Sequence, residues 1–329
     1  MTEARTNGRN APHGPSPFAV EAALLPPEKF TDPDWTANGE PRASVPLGRL
    51  ETLWLNTGTL CNLACAHCYI ESSPTNDSLV YLNRADAARF LDEAQALGTR
   101  EIGFTGGEPF MNPAFVAMLG DTLERGFEAL VLSNAMKPMR RYEVALVELR
   151  ERFGSKLTIR VSLDHHTQVV HEAERGPSSW NAAIEGLQWL SRNDFALAVA
   201  GRMLPGESEA EERAGYARLF AGQGIAVEAS DPARLVLFPE MDETRDIAEI
   251  TTACWGILGK DPASIMCATS RMVVHRKGEA APRVAACTLI PHDRGFDMGA
   301  TLAEASAPVK LNHPHCARFC VLGGASCSA

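Results

Sequence analysis

The sequence predicts an α/β protein: a partial (β/α)6 barrel, open on one side, followed by a cysteine-rich C-terminal module. Three observations carry this. From Leu50 onward, short β-type runs alternate with amphipathic helical patterns about six times before residue 240. After Pro239 the alternation fades, and six of the nine cysteines lie beyond that point. At 329 residues the chain is long enough for one large α/β domain and a smaller appendage.

The first strand is expected at 52–56, followed by a cysteine-bearing loop. The next helix takes Asn83 as its cap, carries Ala87, Phe90, Leu91, Ala94 and Leu97 at spacings of three and four, and stops before Gly98. A second strand at 101–104 runs into Thr105-Gly106-Gly107-Glu108-Pro109. Its helix is expected to start with Asn112 as cap and Pro113 at the first helical position, and to reach Gly126. Further strands fit 129–133, 157–163 and 195–200, with the last at 225–228 or 235–238. Helices fit 138–152, 179–192 and 207–222. Six units are too few to close an eight-stranded barrel, and functional loops are expected at the carboxyl ends of the strands.

The chain divides into 1–47, 48–240 and 241–329. The first segment holds eight of the 21 prolines and no sustained apolar period, so it is expected to be a largely extended leader over the domain surface, poorly ordered to about residue 16. No internal repeat or low-complexity tract is present. Apolar residues make up 45% and charged residues 22%, the balance of a globular protein rather than a disordered one. A net charge of −10 argues against a nucleic-acid partner, which requires a surplus of lysine and arginine. No run reaches the roughly 18 apolar residues of a membrane span, and residues 1–14 lack the apolar centre of a signal peptide. The expected location is the cytoplasm, where cysteines serve as thiolate ligands rather than disulfides.

Cys61, Cys65 and Cys68 form a C-x3-C-x2-C triplet in the loop after the first strand. Three thiolates this close can hold three irons of one cubane and leave the fourth iron without a protein ligand. A structural zinc site is the alternative. It prefers four closed ligands, usually from two C-x2-C knuckles, and His67 as a fourth ligand lies wedged between two of the cysteines. Gly106-Gly107-Glu108-Pro109 follows the second strand, where glycines allow left-handed dihedrals and a close backbone approach to a small ligand.

With this triplet after the first strand and this turn after the second, the chain resembles the radical S-adenosylmethionine (SAM) superfamily, whose members share both motifs on a partial TIM-like barrel. The resemblance implies a [4Fe-4S] cluster on Cys61, Cys65 and Cys68, with the amino and carboxylate groups of SAM on the open iron. It also implies one-electron cleavage of SAM to methionine and a 5'-deoxyadenosyl radical that abstracts hydrogen from a substrate. In the family the Gly106-Gly107-Glu108 turn contacts the methionyl amino group, and His67 stands where many relatives place an aromatic residue near adenine. The run 160–190, with Ser162-Leu163-Asp164 and then Arg175-Gly176, resembles the subgroup that carries a C-terminal auxiliary-cluster module, called SPASM or twitch. That likeness gives Ser162 the ribose and Arg175 the carboxylate of SAM, a role for which a planar guanidinium is suited. Asn134 is a further candidate for the same pocket. His165, His166 and His171 invite a metal site, but exposed loop histidines are usually only solvated, and they are expected to be so here.

The remaining cysteines are Cys254, Cys267, Cys287, Cys316, Cys320 and Cys327. Cys267, Gly278 and Cys287 resemble the opening hairpin of a SPASM module, with strands at 271–276 and 283–288, and Cys316-x3-Cys320-x6-Cys327 would add further thiolates. Six cysteines suffice for one auxiliary [4Fe-4S] cluster and leave two for a second, partly ligated one; zinc or buried thiols are the alternative. An auxiliary cluster can accept an electron from a substrate radical or anchor the substrate. The resemblance implies a radical SAM oxidoreductase acting on a peptide or peptide-derived substrate, with a reductant such as flavodoxin or ferredoxin as partner. A small metabolite (a tetrapyrrole, sugar or nucleoside derivative) is the second possibility, and a non-catalytic iron–sulfur electron carrier is the alternative from another class.

Overall fold

A computed structural model of the chain describes residues 13–239 and 241–326. In chain order its elements are β1 (Ser44–Val45), β2 (Thr52–Asn56), α1 (Arg84–Ala96), β3 (Glu101–Thr105), α2 (Phe115–Glu124), β4 (Glu128–Ser133), α3 (Lys137–Arg140), α4 (Glu143–Phe153) and β5 (Leu157–Ser162). They continue with α5 (Gln168–Arg175), α6 (Ser179–Arg192), β6 (Ala196–Arg202), α7 (Glu209–Gln223), β7 (Leu235–Phe238), α8 (Cys254–Leu258), β8 (Ser270–Val274), β9 (Arg283–Ala285) and β10 (Val309–Lys310). A π-helical segment, Cys316–Leu322, closes the described chain.

One curved sheet runs β7-β6-β5-β4-β3-β2-β8-β9. Strands β2 to β7 are the six parallel strands of the partial barrel. Strand β8 adds to β2 in parallel, and β9 folds back antiparallel on β8, so the cysteine-rich hairpin continues the barrel sheet and covers its β2 edge. Strand alternation sorts the core. Leu53, Leu55, Ile102, Phe104, Val131, Ile159, Val161 and Val199 point outward and pack with the apolar faces of the helices. Trp54, Leu130 and Met272 point inward and pack with the C-terminal segment. A Cβ on Gly103 would lie 2.4 Å from the Trp54 ring, so a bare backbone on β3 makes room for that indole.

Several boundaries differ from the sequence expectation for identifiable reasons. Helix α2 starts at Phe115, not at Asn112, because Pro109–Met111 forms a 3-10 turn first. Asn112 accepts from the Ala114 N–H and donates to the Thr57 and Leu82 carbonyls, pinning the loops around it. The helix expected at 138–152 breaks into α3 and α4 around Tyr142. Leu97 caps α1 and is half exposed rather than packed. The last barrel strand is at Leu235–Phe238. Helix α5 was not expected; it places His171 and Glu174 in the interior.

The described part of the N-terminal segment is anchored. Phe18 is fully buried, β1 pairs with β10, and buried Arg42 pairs with Glu249 at 2.6 Å while donating to the Asp32, Trp35 and Leu311 carbonyls. The expectation of poor order for residues 1–12 lies outside the described residues. Among the described residues, no helix is long and apolar enough to cross a membrane.

Candidate functional site

The cysteine loop and the glycine turn are built against each other. The Gly107 N–H donates to the Gly58 carbonyl at 2.7 Å and the Glu108 N–H to the Leu60 carbonyl at 3.1 Å. A Cβ on Gly107 would lie 2.1 Å from the Leu60 oxygen, and one on Gly106, at φ +139°, would lie 2.5 Å from the Gly58 oxygen. The close approach that requires two glycines is therefore to the chain's own cysteine loop, and the same two residues also line the cleft beyond it. Glu108 turns inward. Its buried carboxylate accepts from the Ser133 hydroxyl at 2.9 Å and the Asn134 N–H at 2.8 Å, and burial pushes its carboxyl up to about 7. Asn134 in turn donates to the Asn62 side chain at 2.9 Å, tying the end of β4 to the cysteine loop.

Cys61, Cys65 and Cys68 share one cleft with His67, Gly106, Gly107, Asn134, Ser162 and Arg175. The cleft encloses about 1050 Å³, its open mouth included, and lies at the carboxyl ends of the strands. Among the expected site residues of the barrel, Glu108 alone stands behind the wall rather than on it. The Cys61 sulfur accepts from the Leu63 N–H and the Cys68 sulfur from the Ser72 N–H, both at 3.4 Å. Burial pushes the Cys61 thiol up to about 12 and raises Cys65 further, a cost that a bound cation would remove.

Helix α5 clamps this loop. The Ala66 N–H donates to the Glu174 carbonyl at 2.7 Å and the His67 N–H to the Glu174 carboxylate at 3.0 Å. The same carboxylate pairs with Arg202 at 3.0 Å and accepts from the Ser16 hydroxyl at 2.6 Å. One residue on, Arg175 holds Asp164 through Nε at 2.5 Å and Nη2 at 3.2 Å. Burial opposes both charges, but each partner outweighs it for the other, and Asp164 stays ionised beside a protonated Arg175. Arg175 is thus the last residue of a helix with its two-pronged edge engaged, not a loop arginine. Glu174 and Arg202 were missed from sequence. A cation ending the apolar run of β6 was the available signal for Arg202.

The expectation of solvated loop histidines is corrected for two of the three, because α5 and α7 cover them. His165 and His171 are buried, and His166 lies against the backbone of Gly215. His165 Nδ1 accepts the Thr167 N–H at 3.0 Å, so its proton sits on Nε2, facing Glu212 at 3.4 Å. With His166 Nδ1 3.2 Å from Glu212, the trio His165, His166 and Glu212 forms a histidine–carboxylate cluster whose ligand atoms lie within 4.8 Å of one another.

A second cavity, about 370 Å³, is lined by Cys267, Cys287, Cys316 and Cys320 with otherwise apolar walls and His315. Buried Arg271 donates to the Cys267 carbonyl from β8. Cys254 is elsewhere, its sulfur accepting from the Thr251 N–H at 3.4 Å, and Cys327 lies outside the described residues. All eight described cysteines are thiols. Four thiols thus line one apolar cavity and three line a polar, open cleft; a closed [4Fe-4S] site takes four thiolates, and a site with one accessible iron takes three.

A partial barrel with these two donor sets defines a class, the SAM-dependent iron–sulfur proteins. Residues 55–216 match the Radical SAM superfamily model, and the chain belongs to that superfamily, which uses a [4Fe-4S] cluster and SAM. It is 33% identical over 144 residues (43% of this chain, 30% of the relative) to the antilisterial bacteriocin subtilosin biosynthesis protein AlbA of Bacillus subtilis (strain 168). It is 29% identical over 196 residues (55% and 47%) to the serine-type anaerobic sulfatase-maturating enzyme of Klebsiella pneumoniae. The chain thus spans less than half the length of these two relatives. Its fold is similar to that of Streptococcus suis SuiB bound to S-adenosylmethionine, with a TM-score of 0.56 at 12% identity over 77% of this chain and 63% of that one. SuiB bound to its precursor peptide SuiA gives 0.55 at 13% identity, over 78% and 63%.

Proposed function

We propose that the chain is a radical SAM oxidoreductase that removes hydrogen from a peptide or peptide-derived substrate and completes a net oxidation or maturation of it. The carrying observation is the cleft that joins Cys61, Cys65 and Cys68 to Ser162 and Arg175 at the barrel mouth, beside a second cavity with four thiols. When bound, a cluster on the triplet and SAM beside it supply one-electron chemistry that ends in hydrogen abstraction. The protein's own residues orient and enclose. Glu174 fixes the loop between Cys65 and Cys68, and of the cleft residues Ser162 would hold the ribose and His67 the adenine. Arg175, preset by Asp164, offers its remaining N–H groups to the SAM carboxylate. Cys267, Cys287, Cys316 and Cys320 would hold the auxiliary cluster of the 241–329 module, which would supply an electron acceptor for the oxidation. A flavodoxin- or ferredoxin-type protein supplies the first electron, in the reducing cytoplasm. The peptide assignment draws on the printed roles of the relatives: biosynthesis of a bacteriocin, maturation of a sulfatase, and binding of a precursor peptide.

Anaerobic reconstitution followed by dithionite and SAM tests this. Formation of 5'-deoxyadenosine is expected, with further turnover and a mass change in a short peptide encoded beside the gene. A cluster-loaded wild type that makes no 5'-deoxyadenosine overturns the enzymatic proposal. SAM cleavage with every such peptide unchanged overturns the peptide assignment.

A further inference from the structure

Arg202 ends β6 inside the barrel, lines the cleft and is 6% exposed. Its Nη1 pairs with Glu174, but Nε and Nη2 are buried and hydrogen-bond to no atom of the described chain. Those two nitrogens form one edge of the guanidinium, the same edge with which Arg175 grips both oxygens of Asp164. An arginine edge of this kind matches a carboxylate in a two-pronged fashion. Leaving it dry and unpaired is costly, so such a group calls for a partner. What covers it now is Phe18, whose ring centre lies 4.3 Å from the guanidinium carbon and offsets only part of that cost. Phe18 arrives on an N-terminal segment held at the site by the Ser16 hydroxyl on Glu174, while Ala22, Ala23 and Leu24 beyond it are exposed.

We infer that the Nε/Nη2 edge of Arg202 is the anchor for a carboxylate of the substrate, and that Phe18 covers this edge until the substrate displaces it. The substrate class is thereby narrowed to acidic ones: a peptide with an Asp or Glu side chain, or a free C-terminal carboxylate, next to the reacting position. This inference rests on the proposed radical SAM activity, and it assigns Arg175 and Arg202 to different ligands. Arg175, on α5 beside the cysteine loop, stays with SAM. Arg202, under the N-terminal segment, faces the substrate.

The test uses full-length, cluster-loaded protein. Wild-type cleavage of SAM without peptide is measured first and reports on the underlying activity alone. The acetylated, amidated pentapeptide Ala-Ala-Glu-Ala-Ala, its Gln counterpart, and an Ala pentapeptide with a free carboxyl end are then compared for stimulation of 5'-deoxyadenosine formation. The Glu and free-acid peptides are expected to act at concentrations at least ten-fold lower than the Gln peptide. Arg202→Lys keeps a cation beside Glu174, and therefore the fold, but removes the two-pronged edge; it is expected to erase that preference. Phe18→Ala is expected to lower the concentration of acidic peptide needed. Equal response to Glu and Gln peptides in wild type, or no response to any, overturns the inference. So does an Arg202→Lys protein that keeps the preference while its SAM affinity falls ten-fold, which would give this arginine to SAM.

Discussion

Arg175 and Asp164 face each other as a buried two-pronged pair at 2.5 and 3.2 Å on the floor of the cleft, eleven residues apart in sequence. Removing one member leaves a buried charge without its partner, which costs about 3–5 kcal/mol. Asp164→Asn and Arg175→Gln are each expected to lower thermal stability strongly. The double variant should recover much of that loss, because the uncompensated charge is gone. SAM affinity, measured by calorimetry, should not recover in the double variant. Full recovery of SAM binding would restrict Arg175 to a structural role.

Glu108 makes stability depend on pH with a definite sign. Its folded carboxyl titrates at about 7 because burial disfavours the charge, whereas the ordinary value is 4.5. Below 4.5 it is protonated in both states and carries no penalty. Between 4.5 and 7 the unfolded chain releases the proton first, so stability falls as pH rises, by roughly 3 kcal/mol in all, and then levels. Glu108→Gln should remove this slope, seen as a difference between wild-type and variant melting curves across pH 4.5–7. Parallel profiles would show that Glu108 is ionised throughout.

Two glycines are expected to respond in opposite directions to alanine. At Gly107 the added carbon would meet the Leu60 oxygen at 2.1 Å, and both groups are backbone. The cysteine loop must shift, with a cost of about 1–3 kcal/mol and a weakened hold on iron at the triplet. At Gly222, inside α7, nothing lies within 4 Å, and alanine should stabilise by about 0.5–1 kcal/mol through helix propensity. Melting temperatures with iron counts on the same samples check both.

The cysteines are expected to separate by cavity. In protein whose Cys61, Cys65 and Cys68 are replaced by alanine, about four irons per chain should remain. Cys316→Ala in that background should remove them, and Cys254→Ala should not. In otherwise wild-type protein, Cys65→Ala should abolish 5'-deoxyadenosine formation while circular dichroism stays unchanged, because the triplet sits in a loop. Iron loss in the Cys254 variant would place that residue among the ligands.

Much of the barrel was legible because its signals are local. The alternation of runs located β2 to β6, and caps such as Asn83 marked helix starts. Where the reading failed, a distant contact outweighed local preference. Asn112 looked like a helix cap, yet its amide is bonded to Thr57 and Leu82, and the helix begins only at Phe115. The polar stretch carrying His165, His166 and His171 looked like solvated loop, but α7 covers His165 and His166, and α5 forms beyond them against α6, with His171 on the Trp180 ring, and against the cysteine loop.

What the sequence determined alone was the donor chemistry and its order: three thiols at short spacing after the first strand, a glycine turn after the second, and a serine ending the fourth. These depend only on neighbours along the chain, so their spacing is their geometry. Tertiary structure alone decided which of the later cysteines meet, that Arg175 is already bound to Asp164, and that the N-terminal segment lies on Arg202 and Glu174. Those pairings join residues 11 to 184 positions apart, and the free energy of burying a charge or a thiol depends on what surrounds it in space. No local pattern encodes those surroundings.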